Sequence, residues 1–285
     1  PSPQGVDTTG ICLVDAGIRL TNMHIRPRTL HFGFSVLLLI FLAWGERTQI
    51  AAQSGAITWS QPINLSNTLP LSTHPAIVAD EYGHVHVFWA EAVGGDAFRP
   101  ESQQNTGNSI LYSRWDGTFW TTPIDVLYVP GEVVADYPAV AVGTDNVLHV
   151  VWIGFSNLYY SNAPASQALS GHAWSDPVII AENNARSRQE CSVTVDHSNN
   201  IHVIYATQGD QPGIYHIRSQ DGGSSWELEQ RLSLPFDRNE TSFSTVRIVT
   251  DAADRLHAVW QTDQEEGYGQ AIYYAHSMDG ETWSA

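Results

Sequence analysis

Ser219-Gln220-Asp221-Gly222-Gly223-Ser224-Ser225-Trp226 is the most informative stretch of this chain, because it reads as a tight turn carrying its own hydrogen-bonding groups. Ser219 and Asp221 can bond backbone amides across the turn, and Gly222 and Gly223 accept positive φ at little steric cost. Trp226 adds a large apolar ring to pack under the loop. The pattern recurs. Ser277-Met278-Asp279-Gly280-Glu281-Thr282-Trp283 is one residue shorter, and Ser113-Arg114-Trp115-Asp116-Gly117-Thr118-Phe119-Trp120 has its Asp displaced by one. In a fourth copy Ser161 and Trp174 remain, with residues 162–173 inserted between them.

Each of these turns is preceded by an aromatic strand: Ile110–Ser113, Leu158–Ser161, Ile214–Ile217 and Ile272–Ala275. Before that comes an apolar hairpin with an Asp, Asn or Gly turn, as in Pro75–Asp80 followed by Gly83–Trp89. Later copies span Pro138–Trp152, Ser192–Tyr205 and Val246–Trp260. The Trp residues at 59, 120, 174, 226 and 283 step by 61, 54, 52 and 57, a period that fits a four-strand propeller blade. β-Branched and aromatic residues with Gly, Asn and Asp punctuation predict strands throughout, and no segment past residue 58 holds a helical period. Trp59–Leu65 reads as the outermost strand of a blade.

The S-x-D-x-G-x-x-W pattern resembles the Asp-box, or BNR repeat, of sialidase-like β-propellers, and the Ser219 copy matches at every specified position. The resemblance covers roughly residues 58–285 and implies an all-β propeller of four-stranded antiparallel blades. Ser113, Asp116, Trp120, Ser219, Asp221, Gly223, Trp226, Ser277, Asp279 and Trp283 are then its structural turn residues. Four blades are visible. Either Trp59–Leu65 completes the last blade of a four-bladed ring, or the chain is part of a six-bladed, sialidase-like propeller truncated at its C-terminus; the second is the expectation adopted.

Residues 1–22 carry no apolar periodicity and read as an upstream or disordered segment. From Met23 to Ala52 the layout is that of a secretory signal peptide: Arg26 and Arg28, a largely apolar run over 32–44, then Ala51-Ala52. A retained anchor is the alternative, but the run is shorter than the ~20 apolar residues that span a bilayer. Residues 53–285 are the propeller domain, expected to be secreted or at the cell surface, with no stable membrane insertion once the signal is cleaved. All 13 basic residues are Arg against 30 acids, a net charge of -17, which argues against a nucleic-acid partner. Cleavage near residue 52 removes Cys12 and leaves Cys191 alone, so the exported form relies on packing and not on a disulfide. No Cys/His spacing reads as a zinc site, and no metal or cofactor is expected. His86, His149, His202 and His257 recur once per blade and read as packed strand residues.

In an antiparallel meander the first and third turns of a blade share one end, so the Ser–Asp turns lie away from the end where inner strands begin. That second end is the natural mouth of a central pocket. Asp136 and Tyr137 stand directly before one inner strand, Arg186, Arg188 and Glu190 before the next, and Arg247 at the start of the fourth. Arg99 lies in the loop after Trp89, in a rim that also holds Glu91, Asp96 and Glu101. Acids bond sugar hydroxyls and Arg pairs with acidic sugars. The resemblance implies three Arg holding a substrate carboxylate, a Tyr nucleophile served by a Glu, and an Asp as acid/base. On that pattern Asp136, Tyr137 and Glu190 are the catalytic candidates, and Arg99, Arg186, Arg188 and Arg247 the substrate-binding ones. Phe98-Arg99-Pro100 departs from the family's F/Y-R-I-P motif by lacking Ile. The expected function is a glycan-recognising sialidase-like module whose partner is a glycan or glycoconjugate. The alternatives are an exo-α-sialidase, a glycoside hydrolase removing terminal sialic acid, and a structural or protein-interaction propeller.

Overall fold

A computed structural model describes residues 59–93, 107–131, 134–155, 157–182, 188–207, 212–233, 242–263 and 269–284. The proposed upstream and signal segments lie outside them. Gln61–Ala285 forms one compact unit. Among its described residues sixteen strands make four antiparallel sheets of four, each a consecutive meander. Blade one is β1 (Ser72–Ala79), β2 (Val85–Glu91), β3 (Ser109–Trp115) and β4 (Ile124–Tyr128). Blade two is β5 (Asp136–Val142), β6 (Val147–Ile153), β7 (Asn157–Pro164) and β8 (Val178–Glu182). Blade three is β9 (Arg188–Val195), β10 (Ile201–Thr207), β11 (Gly213–Ser219) and β12 (Gln230–Arg231). Blade four is β13 (Ser242–Thr250), β14 (Leu256–Asp263), β15 (Gly269–Ser277) and β16 (Trp283–Ser284). No α-helix occurs among the described residues; the insertion after Ser161 holds two short 3-10 turns, Ala165–Gln167 and Gly171–Ala173.

The middle strands are apolar on both faces because both faces are covered, and every residue of β10 and β11 is buried. The cores therefore lie between blades. Phe88, Tyr112 and Leu127 of blade one meet Leu148 and Trp152 of blade two. Val151, Leu158 and Tyr160 meet Val193, Val203 and Tyr205 in the next interface, and Ile204 and Ile214 meet Phe243, Ile248 and Trp260 in the last. The inner strands β1, β5, β9 and β13 pack in that succession.

The Ser–Asp turns are self-contained. In the Ser219 copy the Gly223 N–H donates to Ser219 Oγ at 2.9 Å, and the Ser225 N–H donates to Asp221 Oδ1 at 2.8 Å. In the Ser277 copy Gly280 N–H donates to Ser277 Oγ at 2.9 Å, and Thr282 N–H to Asp279 Oδ1 at 2.7 Å. The Ser113 copy differs: Ser113 Oγ donates to the Thr121 carbonyl, while Asp116 takes the Thr118 and Phe119 amides. These bonds hold Asp116, Asp221 and Asp279 below the usual carboxylate range, Asp279 at about 2.

The tryptophans of the turns reach beyond their own loops. Trp174, Trp226 and Trp283 each meet edge-on an aromatic ring of the preceding blade: Tyr112 at 6.4 Å, Tyr160 at 5.0 Å and His216 at 5.1 Å. Gly223 is required there, since a Cβ on it would come within 2.3 Å of the Tyr160 ring. Each of these three turns thus staples two blades, while Trp120 packs on Trp115 of its own blade. At the equivalent place in blade four Tyr274 is 52% exposed. The reading of Trp59–Leu65 as a strand is corrected: residues 59–71 form none, with Trp59 89% exposed and Leu65 packed as a loop residue on Val87, Trp89 and Leu111.

Candidate functional site

At the end of the blades opposite the Ser–Asp turns, a cleft of about 390 Å3 opens where the four inner strands begin. Its walls come from β1, β5, β9 and β13, and include His74, Tyr137, Glu190, Ser192 and Arg247. Three of the four inner strands enter through a bulge whose extra residue is left-handed: His74 at φ 50°, Tyr137 at 51° and Thr245 at 49°. In β9 the pairing also slips, between Glu190 and Arg188. None of the three is glycine, and His74 and Tyr137 each precede a proline, which disfavours the helical basin for the residue before it. Backbone strain of this kind persists only where surrounding contacts over-determine it.

Those contacts are visible. Asp136 is 3% exposed, and its Oδ1 accepts the Tyr137 N–H at 2.9 Å and bonds His74 Nδ1 at 2.7 Å. The His74 and Tyr137 rings stack, centroids 3.7 Å apart with a 27° interplanar angle. Behind Tyr137 the Cys191 thiol donates to the Tyr137 carbonyl at 3.2 Å, so Cys191 is a buried strand residue. Burial, then the charges of Asp136 and Glu190, push the Tyr137 phenol up and keep it protonated at neutral pH. On the far blades Arg247 Nη1 donates to Glu190 Oε1 at 2.6 Å, with the Arg247 side chain 57% exposed and that of Glu190 19%.

The structure therefore brings Tyr137, Glu190 and Arg247 to one cleft, with Asp136 buried behind its wall and joined to it through His74. Arg188 is placed by its backbone at the start of β9; its side chain, Arg99 and Arg186 lie outside the described residues. Glu91 is buried at 2%, accepts from Ser72 Oγ and Trp89 Nε1, and holds the inner hairpin together without lining the cleft. Among the described residues no trio of His, Cys, Asp and Glu is placed to hold a metal ion. His86, His149 and His202 are buried strand residues. His74 escapes a reading of motifs alone. Its signal is positional: Thr73-His74-Pro75-Ala76 aligns with Asp136-Tyr137-Pro138-Ala139 one blade on.

Comparison with known proteins bears on the fold. No protein-family model matches the chain, and no curated protein sequence does. Solved structures do match. The intramolecular trans-sialidase of Ruminococcus gnavus, solved with oseltamivir carboxylate, superimposes with a TM-score of 0.54 at 11% identity, over 75% of this chain and 70% of that one. The fold is a sialidase-like β-propeller. The leech intramolecular trans-sialidase, solved with 2,7-anhydro-Neu5Ac, gives 0.56 at 10% identity, over 81% of this chain and 53% of the enzyme. A protein of unknown function from Dyadobacter fermentans gives 0.57 at 14%, over 78% of this chain and 69% of its own. At such identities the likeness is one of fold, and activity must be argued from the site.

Proposed function

We propose that this chain is a glycan-recognising, sialidase-like propeller module, carrying Asp-box turns and exported by its N-terminal segment. The observation that carries the reading is the cleft at the head of the inner strands, where an aromatic ring, a carboxylate and an exposed guanidinium converge as Tyr137, Glu190 and Arg247. Aromatic rings stack on sugar faces, carboxylates accept from hydroxyls, and Arg meets carboxylates in two-pronged fashion. The open, apolar face of blade four, where Ile272 is 72% exposed, supports a larger, six-bladed ring.

A second reading, exo-α-sialidase activity, is favoured by Tyr137 and Glu190 lining one cleft, with Asp136 buried next to Tyr137. Glu190, however, gives Oε1 to Arg247, and the Tyr137 hydroxyl has no hydrogen-bond partner among the described residues. A phenol held protonated needs such a base to become a nucleophile. Binding without hydrolysis is therefore the primary reading. It is tested by titrating neutral and acidic oligosaccharides against the wild type and Arg247→Ala, with a fluorogenic sialoside assayed alongside. Acidic probes should bind and lose at least about tenfold in affinity on Arg247→Ala, equivalent to about 1.4 kcal/mol. Equal affinity in the two proteins would remove Arg247 from the site, and turnover of the sialoside would replace the binding reading with the enzymatic one.

A further inference from the structure

Two cation–carboxylate pairs meet at the cleft, each made across a blade boundary: Arg247, Glu190 and His74 line it, and Asp136 lies buried behind His74. Arg247 of β13 is held by Glu190 of β9, and His74 of β1 by Asp136 of β5. The two differ in one respect that matters: Arg is a permanent cation, whereas His gains its charge near neutral pH. Asp136 is buried and already accepts the Tyr137 N–H at 2.9 Å, so the lone pairs of its anion want a donor from the imidazole. That need commits Nδ1 to carrying a proton. The other nitrogen, Nε2, has no partner among the described residues, and the side chain is 35% exposed and lines the cleft.

We propose that His74 makes this a proton-linked site for an acidic sugar, resting on the glycan reading above: the sugar carboxylate docks on Arg247 and on Nε2 of His74, with uptake of one proton. The balance is simple. Nε2 takes a proton from solvent, no other bond forms or breaks, and the imidazolium lies between the ligand's carboxylate and that of Asp136. Asp136 is a positioning residue, fixing the ring through Nδ1–H. Among the described residues the charged or titratable groups facing the site are Tyr137, Glu190, the buried Cys191 thiol and Arg247, with Asp136 behind the imidazole; Tyr137 stays neutral across the range concerned, its phenol being pushed up. The stacked Tyr137 ring prevents the imidazole from turning away.

A role confined to joining blades one and two would show the same hydrogen bond, so the test must separate Nδ1 from Nε2. His74→Asn does this, because an Asn amide can still donate to Asp136 from the Nδ1 position while Nε2 is lost. Calorimetry with 3′-sialyllactose, a glucuronic-acid disaccharide and neutral lactose would be run in buffers of different ionisation enthalpy. The titrations would run from about pH 8 to about 6. The expected result is acidic-probe affinity that rises as pH falls, by at most about tenfold per unit, with a matching proton uptake. His74→Asn should abolish slope and uptake while unfolding at a similar temperature, and Asp136→Asn should weaken both. Binding of an acidic probe with the same pH slope in His74→Asn, or without proton uptake in the wild type, overturns the role of His74 and leaves the glycan reading standing. Failure of every probe to bind at any pH overturns the glycan reading and this inference with it.

Discussion

At the turn end of the blades, the fourth residue of all four first hairpins is left-handed, and it is Gly83, Asn146, Asn199 or Asp254. At the mouth end the left-handed residues are His74, Tyr137 and Thr245. The first set consists of residue types that tolerate that backbone, and the turns bond within themselves and to the next blade: Asp80, Asp196 and Asp251 take two amides apiece through one oxygen, while Asn199 and Asp254 take the Thr144 and His197 amides of the preceding blade. The second set consists of residues that resist it, held by bulges, a buried carboxylate and a ring stack. Regular turns, bonded within themselves and to the next blade, hold the succession of blades together. Strained, unlike residues meeting at the mouth are what a binding cleft requires, and the difference predicts that damage at the two ends reads out in different measurements.

The largest expected effect is at the turn end. Tyr160 is buried at 1%, its hydroxyl bonds His149 at 2.7 Å and the Gly222 carbonyl at 3.1 Å, and its ring takes Trp226 edge-on. Tyr160→Ala should cost about 3–5 kcal/mol, as emptying a buried aromatic site does. Chemical denaturation would measure it. A loss under ~1 kcal/mol would mean that blades two and three are not stapled as described, and the contrast with the mouth would fail. Next in size is an acid effect. Burial pushes His149 down to about 4 and His216 down to about 3, so each stays neutral in the fold but takes a proton on unfolding below about 6.5. Stability should therefore fall as pH drops through 6.5, by roughly 2 kcal/mol for each histidine at about pH 5. The turn carboxylates act in the same direction lower down, since their depressed values stabilise above the ordinary carboxylate range and lose that contribution on acidification. Melting temperatures across pH 7 to about 5 would check this, and a flat profile would show these histidines to be hydrated.

Much of this was legible in advance, for reasons that differ by region. Strands β10 and β11 announce themselves as apolar runs punctuated by Asn and Gly, and the Ser219 turn names its own hydrogen bonds, because these interactions are local. Asp136, Tyr137, Glu190 and Arg247 follow from the repeat, which puts the head of every inner strand at one end. What escaped is inter-blade. The landing of Trp226 on Tyr160 and the clasp of His74 by Asp136 link residues 66 and 62 positions apart, and the repeat period says nothing about how one blade is rotated on the next. The bulges escaped as well: Pro75 and Pro138 hint at an irregular entry, but only the pairing shows a left-handed residue before them.

The smallest effect is the sharpest check on the claim that strain belongs to the mouth. Thr245 occupies the same bulge as His74 and Tyr137, at φ 49°, yet it is exposed and has neither a stacked ring nor a buried carboxylate to justify its conformation. A β-branched residue there is held against a steric cost of order 1–3 kcal/mol. Thr245→Gly relieves that cost, and the gain is offset in part by the greater freedom of glycine in the unfolded chain, which amounts to about 0.4–1 kcal/mol. The net expectation is a stabilisation of about 0.5–1 kcal/mol with acidic-sugar affinity unchanged, because Thr245 is not among the residues that wall the cleft. The same change at Tyr137 should move the two readouts the other way, removing the ring that stacks on His74 and taking affinity with it. Denaturation and glycan titration of the two variants side by side would decide the matter. If Thr245→Gly were destabilising, the bulge would be a comfortable conformation in this fold, and His74 and Tyr137 could no longer be described as residues held in place for a purpose.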